Sequence, residues 1–180
     1  HSAPVIQVAR MSPGEFAFVL LGLIPNRKGQ SILVEWQVAL VSQDQGVRLE
    51  PYEAFIDRLG IKADAIPNTG NPPEVQSLQR VLPHAVREMR SYMEKLHASR
   101  EAEIEHRLAQ TLADLKRLQN RQMEQLELGL GKRPEGFRNQ HRHQRTTEIG
   151  RVFDEYRQWV EDTLTLEPTP YIRVLTAFRN

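Results

Sequence analysis

The sequence predicts an α+β fold: a small antiparallel sheet, formed by an N-terminal hairpin and a C-terminal strand, bearing a long protruding antiparallel helical hairpin. Three observations point there. Apolar, β-branched segments stand near the start at Phe16–Ile24 and Ser31–Val41, a third at Tyr171–Phe178 closes the chain, and His84–Leu128 between them holds no glycine or proline. A lone terminal strand is unstable, so Tyr171–Phe178 must return to the sheet begun at the other end of the sequence. The platform is expected at residues 4–66 plus 169–180, and the helical arm at 74–166 with its turn near 129–137.

Taken in order, Val5–Val8 is a candidate extra strand. Phe16–Ile24 and Ser31–Val41 are joined by Pro25-Asn-Arg-Lys-Gly-Gln30, a polar connection that reads as a hairpin turn. In the second strand Ile32, Val34, Trp36, Val38 and Leu40 share one face by the two-residue period. Gln43–Gly46 is a turn, and Pro51–Leu59 a short helix with apolar positions at Tyr52, Phe55, Ile56 and Leu59, ended by Gly60. Pro67-Asn-Thr-Gly-Asn-Pro-Pro73 breaks the chain. A helical segment from Glu74 follows, with Pro83 expected in the first turn of a second helix.

From there Met89, Met93, Leu96, Ile104, Leu108, Leu112, Leu115 and Leu118 recur mostly at intervals of three and four, which predicts one long amphipathic helix. At 1.5 Å per residue it would reach roughly 65 Å, against about 40 Å for a compact domain of this size, so the arm is expected to project. Gly129–Gly136 reverses the chain. Ile149, Val152, Phe153, Tyr156, Trp159, Val160, Thr163 and Leu164 then form an apolar stripe, placing Trp159 near Leu108 and Phe153 near Leu112–Leu115. Asn139–Glu148 is without apolar residues, and opposite it Leu118, Met123 and Leu126 are left as a candidate protein-interaction surface.

Composition narrows the function classes. With 39% hydrophobic and 26% charged residues and a mean hydropathy of −0.53, the 180 residues read as a globular chain rich in exposed helix. No apolar run reaches the length of a membrane span, so no membrane partner is expected, and a cytoplasmic location is. The absence of cysteine excludes disulfides and zinc–thiolate sites. A net charge of +1 argues against a broadly basic nucleic-acid surface and leaves room only for a local one. The start at His1 without methionine reads as a piece of something longer.

Catalytic patterns are not met. Gly129-Leu-Gly-Lys-Arg133 lacks the first glycine and the hydroxyl residue of a phosphate loop, and no strand precedes it. Glu103-Ile-Glu-His106 has the spacing of a helical di-metal ligand pair, but those sites need the motif twice. His141 and His143 point apart on a helix. The serines lack a nucleophile elbow. No catalytic, cofactor or metal residue is therefore assigned. What remains is a basic cluster, Lys132, Arg133, Arg138, Arg142 and Arg145, opposed only by Glu135 before Glu148. It would suit several phosphates or an acidic protein surface; its other reading is a solvated tip.

Phe153–Phe178, with Trp159-Val-Glu-Asp-Thr163 and Pro170-Tyr-Ile-Arg-Val174, resembles the C-terminal end of bacterial SWI/SNF-type, RapA-like superfamily-two helicase ATPases. Gly22–Gln30 followed by Val34-Glu-Trp36 is similar to the β-region after their motor lobes. The resemblance implies a non-catalytic accessory domain of a DNA- or RNA-dependent ATPase, positioning nucleic acid or a partner relative to the motor. It implies ATP and magnesium only for that motor, and the motor lobes, DNA or RNA as partners. The alternative from the residues themselves is a protein-interaction or oligomerisation module, with another protein or a second copy on the helical arm.

Overall fold

The computed structural model describes residues 3–8, 10–42, 46–60, 75–130 and 135–180, the side chains of 135–138 excepted. The fold is α+β. Its elements are β1 (Val5–Gln7), β2 (Phe16–Pro25), β3 (Ser31–Ser42), β4 (Gly46–Pro51), α1 (Tyr52–Leu59), α2 (Val75–Leu130), α3 (Glu135–Leu164) and β5 (Tyr171–Arg179). The chain divides into a sheet unit, His1–Pro25, Ser31–Ser99 and Glu167–Asn180, and a helical unit, Asn26–Gln30 and Arg100–Leu166.

In the sheet unit the strand order is β1-β5-β2-β3-β4. The expected β2–β3 hairpin is present, and β5 returns to pair antiparallel with β2, Ala17 opposite Phe178 and Leu23 opposite Tyr171. Two strands enlarge the expected sheet. β1 runs parallel to β5, tied by Ala177 N–H to the Pro4 carbonyl (2.9 Å) and Val8 N–H to the Arg179 carbonyl (2.8 Å), so the sheet is mixed. β4 pairs with β3 from Ser42–Gly46 to Gln37–Pro51; its Gly-Val-Arg-Leu-Glu-Pro sequence is too short and polar to announce a strand. A β-bulge between Val19 and Leu20 in the β2–β5 register gives β5 an extra residue, Leu175, which packs against the core.

Two layers cover the sheet. On one face Ala17, Val19, Val38, Leu40 and Phe178 receive Phe55 and Leu59 of α1, with Met11 completing the cluster. The Phe55 ring meets Phe178 edge-on at 5.2 Å. α1 ends as its sequence predicts: Gly60 adopts φ 61°, and its N–H reaches back to the carbonyls of Asp57 and Ile56. On the other face Leu78, Ala85, Met89 and Met93 of α2 are buried. Gly22 makes room for them, since a Cβ there would stand 2.6 Å from Met89 Cε and Met93 Sδ.

Pro83 lies inside α2, not at the first turn of a separate helix. The residue has no N–H for the Gln79 carbonyl, a defect that breaks unsupported helices. Here apolar contacts on both sides of it, Leu78 before and Ala85, Met89 and Met93 after, hold one helix through the fault.

In the helical unit α3 begins at Glu135, within the stretch expected to be only a turn. The apolar stripe is also narrower than the spacing suggests. Val160 is buried, but Tyr156 and Trp159 are 56% and 53% exposed and do not form a core. Arg151–Glu155 and Arg157–Asp154 pairs flank them on the same helix, so this is a mixed surface.

Candidate functional site

The basic cluster is only partly visible and partly neutralised. Lys132 and Arg133 lie outside the described residues, and Arg138 is placed on α3 by its backbone alone. Arg142 pairs with Glu127 of α2 at 2.7 Å, and Arg145 with Glu148 one turn on at 2.9 Å. Sequence order hid the first of these pairs, because Glu127 belongs to the other helix. Each pair is solvent-exposed and worth a few tenths of a kcal/mol, about 1 at most, so either guanidinium can exchange its carboxylate for another anion.

The three candidate interaction residues separate. Leu118 is 49% exposed. Leu126 instead borders a cavity of about 510 Å³ whose wall includes Ile149, Val152 and Phe153, so it has apolar neighbours that the polar run 139–148 led one not to expect. Met123 is half-buried. Gln122, Gln125, Arg145 and Glu148 form the polar part of that cavity's lining.

Among the described residues no three His, Asp or Glu side chains gather to hold a metal. Glu103, of the Glu-x-x-His spacing, engages Arg100 at 3.1 Å. No described helix is long and apolar enough to cross a membrane.

A polar centre that the sequence did not single out is Asn26, 1% exposed in the helical unit. Its Oδ1 accepts the backbone N–H of Lys28 (3.0 Å) and Gln30 (2.9 Å), and its Nδ2 donates to Gln30 Oε1 and to the Thr163 carbonyl, both at 2.9 Å. Arg27 N–H adds a bond to the Thr165 carbonyl. Thus the turn after β2 is latched to the last turn of α3, satisfying a helix-end carbonyl that would otherwise lack a donor. In the sheet unit Glu167 N–H meets the Pro25 carbonyl at 2.8 Å.

The open end of the sheet is the other feature that sequence reasoning missed. Opposed residues share a face, so Tyr171, Leu23 and Val34 form one row, and Arg173, Leu21 and Trp36 the next, on the side where α1 sits. α1 covers the rows of Ala17 and Val19 and meets Trp36 through Tyr52, ring to ring at 5.8 Å. Ile32, Val34 and Trp36 remain 45%, 48% and 46% exposed. The five-residue alternation correctly put them on one face with Val38 and Leu40. It could not say that α1, only eight residues long, covers half of that face.

No known protein family matches this chain, and neither does any curated protein or solved structure.

Proposed function

We propose that this chain is a non-catalytic accessory domain of a DNA- or RNA-dependent helicase-like ATPase, positioning a partner or nucleic acid relative to the motor. One observation carries the reading. The two segments that resemble such ATPases, Gly22–Gln30 and Phe153–Phe178, are far apart in sequence yet meet within each unit: Leu23 with Tyr171 and Pro25 with Glu167 in the sheet unit, Asn26 with Thr163 and Arg27 with Thr165 in the helical unit. A resemblance confined to two distant stretches gains weight when each unit pairs a part of one with a part of the other. With Arg142 and Arg145 each beside a carboxylate, neither brings an uncompensated positive charge to phosphate, which favours a protein partner.

The test is nucleic-acid-stimulated ATP hydrolysis by the motor-containing protein with and without this domain. Deletion is expected to spare basal hydrolysis and weaken its stimulation; unchanged stimulation sinks the proposal. In the same assay the Arg138→Glu, Arg142→Glu, Arg145→Glu triple variant is expected to leave nucleic-acid affinity within about two-fold. A steep loss with a reduced salt slope would move the contact to phosphate. A second reading, an oligomerisation or protein-binding arm, is favoured by the exposure of Leu118; sedimentation of the Leu118→Ser variant beside the parent chain tests it.

A further inference from the structure

From the open end of the sheet we infer that β3 accepts an extended segment of a partner protein as an added strand along Ser31–Trp36. This deepens the accessory-domain reading and rests on it, by naming how the partner is held. β4 accompanies β3 only from Gln37 to Ser42, so among the described residues no strand borders the outer edge of Ser31–Trp36. Alternate N–H and C=O groups there face outward in strand geometry, which is a template for another backbone. The exposed Ile32, Val34 and Trp36 side chains give the same stretch an apolar face beside which an incoming strand's alternate residues would lie.

Glu35 selects the occupant. It is the one charged side chain in Ser31–Trp36, it faces the side of Gly22, and it enters none of the ion pairs among the described residues. A second copy added antiparallel about Glu35 would bring two carboxylates together. Centred on Leu33, it would set Glu35 against Ser31 and leave the charge unanswered. An incoming strand with a lysine or arginine opposite Glu35, and apolar residues at the flanking alternate positions, satisfies both the edge and the charge. The occupant is thus a basic, alternating-apolar segment of another protein.

The ¹⁵N-labelled chain is titrated with three short synthetic peptides: an alternating valine–threonine strand carrying one lysine, its twin with glutamate for lysine, and the lysine peptide N-methylated on alternate amides. The lysine peptide should shift the amides of Ser31–Trp36 and bind roughly two- to five-fold tighter than its twin. Glu35→Lys should reverse that order, and N-methylation should cost at least about ten-fold. Shifts confined to the helices, equal binding of the N-methylated peptide, or no shift at millimolar peptide overturn the inference. So does protection of Ser31–Trp36 that grows with protein concentration alone, which would make a second copy the occupant. A null result here with stimulation lost on domain deletion removes strand addition only; peptide binding with stimulation intact removes the ATPase reading only.

Discussion

The sheet unit and the helical unit are built on different physics. In the first, whole side chains such as Phe18, Leu20, Ile24, Phe55, Met89 and Met93 are removed from water. In the second, the fully buried apolar residues among those described are Leu130 and Val160, while Ile104, Leu108, Leu112, Leu115 and Phe153 are half-buried. The helices there carry i,i+3 and i,i+4 pairs instead, Arg100–Glu103, Arg117–Asp114, Arg145–Glu148, Arg151–Glu155 and Arg157–Asp154. Each such pair contributes roughly 0.3–0.5 kcal/mol. A long helix therefore needs little core where its surface is well matched, but it gains little cooperativity from that surface.

The contrast can be broken most sharply at Phe55. Phe55→Ala is expected to cost about 3–5 kcal/mol in urea unfolding, because the vacated space lies between α1 and three strands and cannot collapse. Next comes Asn26, the polar exception in a unit with little core. Asn26→Ala strips four hydrogen bonds from a buried site and is expected to cost about 2–4 kcal/mol. Hydrogen exchange at Lys28 and Gln30 should accelerate while the β2–β3 amides stay protected. Asn26→Asp, which keeps the acceptor and loses both donors, should fall between parent and alanine.

Gly22→Val should cost about 1–3 kcal/mol, since its methyls would enter the space of two methionine side chains. A partial rescue by Met93→Ala would place the strain at that contact, and the absence of rescue would argue that the backbone itself must move. The smallest effect is expected for the largest side chain. Trp159→Ala in the helical unit should change stability by less than about 0.5 kcal/mol, because over half of the ring is already in water. A loss above 2 kcal/mol would erase the distinction between the two units.

The hairpin, the returning β5, α1 and the long α2 were legible because each is written in local periodicity and punctuated by Gly60 or the prolines at 168 and 170. β4 was not, since Gly46–Pro51 has little apolar alternation and depends on β3 for its register. Pro83 misled because the rule against internal proline concerns isolated helices, and this one leans on a sheet. Of the candidate residues on the helices, Leu118 is exposed, whereas Arg142 finds Glu127 across the hairpin, a pairing set by helix phase that sequence order does not display. The open face of β3 was invisible for the same reason, since alternation assigns residues to a face without saying where its cover stops.

The place of β5 also sets a clock. It lies between β1 and β2, yet it is made last among the strands, after both long helices. At the usual 5–20 residues per second, synthesis from the end of β2 to the start of β5 occupies on the order of ten seconds. Throughout that interval the nascent hairpin has its future central strand uncovered on one side, with Phe16–Ile24 available to any passing strand. Translation speed through the α2 and α3 codons, or a chaperone that shields this one edge, would then govern the yield of folded protein more than the stability of the finished sheet.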